Sequence, residues 1–205
     1  MEKKNFQLIT DEIISALPKD RRPLLLLHTC CAPCGSYVLK YLSEYFDIDV
    51  LYYNPNIFPS EEYAKRLSEL EKLCALGNFS GRVQLIEIGY YPERFDEAAK
   101  GLENKPEGGA RCEKCFRLRL TEAALEAKKR NADWFSTTLS VSPHKNSALL
   151  NQIGGELEKE YNIRYLYSDF KKRGGYKKSI ELSKKYGLYR QDYCGCEFSI
   201  KRKEK

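Results

Sequence analysis

The chain has 205 residues, 42% of them hydrophobic and 31% charged, enough apolar material to bury one generous core beneath a polar surface. No run approaches the ~20 apolar residues that a bilayer span requires, and acids at Glu2, Asp11 and Glu12 break what would be the apolar part of an export signal; the expectation is a cytoplasmic protein with no membrane partner. The formal charge of +6 is uneven, with 12 Lys+Arg against 4 Asp+Glu in residues 171–205 and 23 against 25 before them.

Taken in chain order, residues 11–17 read as a helix. The apolar run Pro23-Leu-Leu-Leu-Leu27 follows and reads as a buried strand. Residues 35–46 place Val38, Leu39, Leu42 and Phe46 near one helical face, and residues 48–53 form the next strand, halted by Asn54-Pro55-Asn56. Ser60 is expected to cap a helix reaching about residue 76, with Glu61 and Glu62 in its first turn where the helix dipole favours acids. Residues 83–88 are a third strand, and a helix follows Pro92. A Lys-Pro-Glu-Gly-Gly loop over 104–110 leads into a helix from Cys112 to about Arg130. Residues 133–138 read as a fourth strand, 146–161 as a helix, 163–167 as a fifth strand and 174–185 as a basic helix before an irregular cysteine-bearing end. Strands alternating with helices predict an α/β fold, a mainly parallel sheet with flanking helices of the Rossmann-like or HUP-like kind. Ligand sites in such sheets lie at the carboxyl ends of the strands. Cys30, Cys31 and Cys34 follow the first strand, and Ser140, Ser142 and His144 follow the fourth, so a cysteine-rich metal site is expected at that edge. The organisation expected is one domain over 1–205, with 171–205 a basic extension.

Eight cysteines in a reducing compartment are ligands or catalysts more readily than disulfides. Seven fall into three groups: Cys30/Cys31/Cys34, Cys112/Cys115 and Cys194/Cys196. The first lies at a strand-to-helix turn, where a helix N-terminus stabilises thiolates. Adjacent side chains on extended backbone diverge, so Cys30 and Cys31 share a metal only if the chain turns there. The spacing of Cys112 and Cys115 lets both sulfurs reach one centre, in a pattern shared with zinc knuckles and dithiol oxidoreductases. Cys194 and Cys196 share a face of extended chain with Gly195 leaving the space between them open, which suits chelation or a dithiol–disulfide cycle. Cys74, beside Leu73 and Leu76, reads as a small core residue. A structural zinc would use four of the seven thiols and leave three without a task; an iron–sulfur cluster takes four thiolates and leaves a further group for redox work or a second metal. The ferredoxin run C-x2-C-x2-C-x3-C-P is missing, which argues against a simple electron carrier. No Gly-rich phosphate loop follows the first strand. The basic C-terminal segment carries Tyr176, Tyr186, Tyr189, Tyr193 and Phe198 among its cations. It fits a solvated tail or a surface that neutralises phosphates and stacks bases.

In LLLLHTCCAPCGSY (24–37), YYNPNIFPSEEYAKR (52–66), RCEKCFRLRL (111–120), FSTTLSVSPHKN (135–146) and GGYKKSIELSKKYGLYRQDYCGCEFS (174–199) the sequence resembles the QueH family of epoxyqueuosine reductases. The resemblance spans nearly the whole chain in order, and the cysteine positions show no departure. It implies the last step of queuosine synthesis in tRNA, reduction of an epoxide to an alkene without cobalamin. It also implies a 4Fe–4S cluster with a nearby second iron or redox-active pair. By position the cluster falls to Cys30, Cys31, Cys112 and Cys115. Cys194 and Cys196 become the catalytic or second-iron pair, and Cys34 the substitute in either set. The implied partners are tRNA carrying epoxyqueuosine and an electron donor that the sequence does not name. Two other classes compete. A PP-loop sulfur transferase would show Ser-Gly-Gly-x-Asp-Ser after the first strand, where thiols stand instead. A zinc-bound RNA-binding module would use four of the same cysteines.

Overall fold

The computed structural model describes residues 4–200; residues 201–205 of the expected basic extension lie outside them. Leu25, Leu26 and Leu27 are wholly buried because their strand is the middle of the sheet and covered on both faces. That strand, β1 (Leu24–His28), pairs in parallel with β2 (Asp47–Tyr52) and with β4 (Trp134–Thr137). β3 (Val83–Glu87) lies outside β2, and β5 (Arg164–Tyr165) outside β4, also in parallel. The order is therefore β3-β2-β1-β4-β5, the expected α/β sheet. Alternation within β1 divides the core. Leu25 and Leu27 join Ile48, Val50 and Tyr52 on one face, against Val38, Leu39 and Leu42 of α2 (Ala32–Leu42) and Leu70 and Leu73 of α3 (Ser60–Leu76). Leu26 and Leu51 face Phe116 and Leu120 of α5 (Ala110–Lys129) and Leu150 and Ile153 of α6 (Ser147–Tyr161). Each such leucine contributes about 1.5–3 kcal/mol by its removal from water.

Several boundaries differ from expectation for local reasons. α1 runs Phe6–Ser15, earlier than its apolar pattern suggested, because the Asn5 side chain caps it by accepting from Gln7 N–H at 3.2 Å. α2 starts at Ala32 rather than 35, with Cys31 at the N-cap and Pro33 in the first turn. Ser60 is not a cap. Pro59 holds the extended N-cap position, and Ser60, already helical, turns its hydroxyl to Glu61 Oε2 at 3.3 Å. β5 is only two residues long, although Leu166 N–H still donates to Phe135 O before the chain leaves the sheet.

After α4 (Pro92–Ala99) the chain reaches α5, and beyond β5 a 3-10 turn precedes α7 (Gly175–Lys185). α7 lies against α2 through small residues: Ser179 and Ser183 are buried, and Ser36 Oγ donates to Ser179 O at 3.4 Å. The last segment returns to the body, where Phe58 N–H donates to Gly195 O at 2.8 Å, and closes with the single turn α8 (Glu197–Ile200). Among the described residues no helix is long and apolar enough to cross a membrane.

Candidate metal centre

β1 sends its chain to one side of the sheet and β4 lies on the other, so the carboxyl ends of these neighbours flank a topological switch point. The thiol loop Thr29–Cys34 leaves β1 there. Because the chain turns into α2 at Cys31, the two adjacent thiols do not diverge: Cys30 Sγ and Cys31 Sγ are 3.7 Å apart. With Cys34 they form a trio whose sulfurs all lie within 4.8 Å of one another, a spacing that can hold a metal ion. Hydrogen bonds from Cys30 and Cys34 hold the Cys31 thiol well below its ordinary range against the opposing effect of burial, and the nearby Arg66 charge assists. The same contacts push Cys30 and Cys34 upward. Gln191 Nε2 adds a donor to Cys31 Sγ at 2.9 Å.

The second group opens α5. Cys112 and Cys115, one turn apart, are both buried, and Gly108 N–H donates to Cys112 Sγ at 3.2 Å. Cys30 packs against the apolar cluster that contains Cys112, while Cys115 shares a small cluster with Phe95, Ala99 and Cys196. Burial raises the Cys115 thiol, and the Arg119 charge opposes that rise. In the third group Cys196 donates to Cys194, which lowers the Cys194 thiol well below its usual range and raises that of Cys196. Lys145 Nζ donates to Cys194 Sγ at 2.8 Å. Gly195 is not part of an extended run, as the Cys-Gly-Cys spacing had suggested. Its φ is +118°, and a Cβ there would stand 2.9 Å from Arg66 Nη1, so only glycine fits this turn.

Cys30, Cys34 and Cys194 reach the wall of one cavity of about 640 Å³, together with Arg119, Lys145 and Gln191. The four-cysteine set Cys30, Cys31, Cys112 and Cys115 is gathered less tightly than the trio, which takes in Cys34 instead. His144 also lines the cavity from its loop. Cys74 stands apart on α3, half-buried against the core, its thiol raised by burial to about 11.

Sequence reasoning passed over the cations. Arg66 and Arg119 are 1% and 2% exposed, and each has an Nη2 with no hydrogen-bond partner among the described residues. Arg119 carried a legible signal: at i+7 from Cys112 and i+4 from Cys115 it lies on their face of α5. His28 was also passed over. It is fully buried, and burial followed by the Arg119 charge lowers its imidazole to about 4, so the ring is neutral.

The fold and site define an α/β protein whose parallel sheet carries a buried, thiol-rich centre able to hold metal at its switch point. Residues 25–202 match the family model described as epoxyqueuosine reductase QueH. A Staphylococcus epidermidis relative named epoxyqueuosine reductase QueH is 42% identical over 203 residues, covering 97% of this chain and 85% of its own. Relatives of the same name from Streptococcus pyogenes serotype M1 and Thermotoga maritima are each 39% identical, over 98% and 88% of this chain and 80% and 93% of their own. The chain belongs to the QueH family.

Proposed function

We propose that this chain is an epoxyqueuosine reductase, an oxidoreductase that converts the epoxide of epoxyqueuosine in tRNA to the alkene. The carbon–oxygen bonds are broken with two electrons and two protons, and the oxygen leaves as water. The observation that carries the reading is the gathering of three cysteine groups near the switch point: Cys30, Cys34 and Cys194 line one cavity, Cys112 belongs to the cluster against which Cys30 packs, and Cys115 packs with Cys196. Deoxygenation by an electron pair needs more redox capacity than one single-electron centre, and seven gathered thiols exceed the four that one cluster uses.

The donor set fits a 4Fe–4S cluster. Its atoms are soft thiol sulfurs, some held as thiolates, and two buried guanidinium groups bring positive charge with an unpartnered nitrogen each. Cys30, Cys31, Cys112 and Cys115 would hold it, with Cys34 the substitute ligand. Bound there, such a cluster supplies electrons one at a time. Cys194 and Cys196 would act as the catalytic pair, giving two electrons and the Cys196 proton when they close to a disulfide, with the second proton taken from solvent, or with Cys34 would hold one additional iron. The Cys196 hydrogen bond, assisted by Lys145, favours Cys194 in the thiolate form for either task. An electron donor of the cell would then restore the pair, as a reducing compartment favours.

The chain would act as a single domain whose basic segment 171–205 receives the tRNA. Tyr176 and Ser179 of α7 line the cavity, so the exposed Lys177 and Lys178 beside them border the site. Lysines there neutralise phosphates while a base splayed from the anticodon loop enters the cavity. The test is anaerobic purification with iron, sulfide and zinc analysis. Turnover of tRNA carrying epoxyqueuosine follows, with a chemical reductant and no cobalamin. Loss of one oxygen from the nucleoside supports the proposal; a colourless zinc protein without sulfide or turnover overturns it.

A further inference from the structure

A chain of buried polar groups runs from β4 to the thiols, and its donor and acceptor roles are forced. Asn54 Nδ2 donates to Thr29 O at 3.0 Å, which turns Oδ1 the other way. There Asn54 Oδ1 meets two nitrogens, His28 Nε2 at 3.3 Å and Arg119 Nη1 at 3.4 Å. His28 Nε2 also faces Tyr53 O at 3.2 Å, an atom that only accepts. The His28 proton therefore sits on Nε2. Its Nδ1 accepts from the Thr137 hydroxyl at 2.9 Å, and Thr137 Oγ1 accepts in turn from Leu139 N–H. Asn54 thus ties the residue before Cys30 to the Arg119 guanidinium, and His28 fixes Asn54. Arg119 Nε donates to Cys115 O at 3.3 Å, which completes the fixation of its plane.

What this scaffold holds is a cation without an anion. Of the two other buried arginines, Arg66 is neutralised by Glu62 at 2.7 Å, and Arg111 spends its Nη1 on the carbonyls of Leu102, Glu103 and Lys105, away from the thiol trio. Lys145 has Glu107 at 3.5 Å. Arg119 makes no salt bridge with any carboxylate among the described residues, is 2% exposed, and keeps Nη2 buried and unpartnered. An unpaired buried charge is among the costliest features a core can carry. A guanidinium cannot escape the cost by losing its proton, as lysine can. The groups around it that carry negative charge once they bind metal are thiols: its charge acts on Cys30, Cys112, Cys115 and Cys194, members of all three cysteine groups.

We infer that Arg119 is the positioned counter-cation of the thiolate centre, held by Asn54 and His28, and that it ligates nothing itself. This deepens the functional reading above and rests on it. An electron added to a thiolate-bound centre makes that centre more negative, and a fixed cation in a poorly screened interior stabilises the reduced form. Arg119 therefore raises the reduction potential of whatever redox group the thiols hold, and Asn54 keeps the charge at its working distance.

The test uses the full-length, cluster-loaded chain and its Arg119→Met, Arg119→Lys and Asn54→Ala variants. Iron and sulfide are counted per chain, and the midpoint potential is read by redox titration under electron paramagnetic resonance. Arg119→Met should move the potential to a more negative value. Arg119→Lys, which keeps the charge without the planar fork, should move it less. Asn54→Ala should keep its iron and sulfide and shift the same way by a smaller amount, and it carries the test if Arg119→Met fails to fold. A folded Arg119→Met chain that loads no cluster, while Arg119→Lys does, also supports the counter-cation. Full loading with an unmoved potential in Arg119→Met or, should that variant not fold, in Asn54→Ala overturns the inference; so does an Arg119→Lys shift equal to that of Arg119→Met. A wild-type chain without iron or sulfide overturns the reading of the site itself, which is measured first and separately.

Discussion

Lys145 Nζ lies 2.8 Å from Cys194 Sγ, a half-buried ammonium against a half-buried thiol. Burial works against the Lys145 charge, yet Cys194 and its hydrogen bond hold the ammonium above its ordinary range. The two groups stabilise each other as an ion pair, so the Lys145→Met chain should lose thiolate at Cys194. Each unit of rise in the thiol pKa moves the whole ionisation curve one unit up in pH. Alkylation of Cys194 in the reduced, metal-free chain, followed by mass spectrometry across pH, should show its profile moved to higher pH. An unmoved profile would mean that the ammonium does not control this thiol.

The proposed division of ligands separates the cysteine variants. Cys112→Ser and Cys115→Ser should lose both iron and sulfide, because a cluster deprived of one of four thiolates is poorly held. Cys194→Ser should keep most of the cluster and lose turnover. Cys34→Ser is the more discriminating variant, since Cys34 shares the 4.8 Å trio with Cys30 and Cys31. With Cys112 and Cys115 completing the set, Cys34→Ser retains iron and sulfide. If Cys194→Ser strips the chain as completely as Cys112→Ser, the division is wrong.

Much of this was legible in the residues. A four-leucine run between Arg-Arg-Pro and a polar loop has few alternatives to a central strand, and sheet order then puts the thiol loop at the switch point. Cysteine spacing identified three groups, but not that the turn at Cys31 folds the first into a tight trio. Gly195 was recognised as necessary for the wrong reason, because a positive φ leaves no trace in a Cys-Gly-Cys string. Cations were the larger loss. Helical spacing puts Arg119 on the cysteine face of α5, apart from Arg117, which pairs with Glu156 at the surface, but it does not reveal that Arg119 is buried without a carboxylate. That difference is made by the sheet and by Asn54, 65 residues away in the chain. His28 closes an apolar run, where a neutral imidazole and a buried leucine occupy similar positions.

The salt dependence of tRNA binding should identify the lysines that meet phosphate. The basic segment is not uniformly available: Lys171 pairs with Asp169 at 2.6 Å and Arg173 with Asp11 at 2.6 Å. Lys172 and Lys177 have no such partner among the described residues, and Lys178 only covers the Tyr37 ring, 5.4 Å from its centroid. Replacing Lys172, Lys177 and Lys178 by glutamine should reduce the slope of log K against log salt by about 2, at somewhat under one unit for each phosphate no longer neutralised. Replacing Lys171 and Arg173 should change it less. Equal slopes for wild type and the triple variant would remove α7 from the RNA surface.

Gly175 tests whether the close seating of α7 on α2 matters to the site. Its φ of −58° is ordinary for a helix, so alanine would carry no conformational penalty. Its surroundings are the obstacle: a Cβ would stand 1.8 Å from Phe170 O and 2.6 Å from Tyr37 Cε1. A backbone carbonyl cannot swing aside as a side-chain tip can, so the start of α7 must move away from α2. Overpacking of this kind costs about 1–3 kcal/mol. Gly101→Ala is the control, because φ there is +75° with nothing within 4 Å, and its cost of about 1 kcal/mol is conformational alone. Denaturant unfolding should show Gly175→Ala the less stable of the two. It should also weaken tRNA binding, because Tyr176 and Ser179 of the displaced helix line the cavity, whereas Gly101→Ala should bind as wild type does. A Gly175→Ala chain with unchanged stability and binding would show that the close seating of α7 on α2 is dispensable.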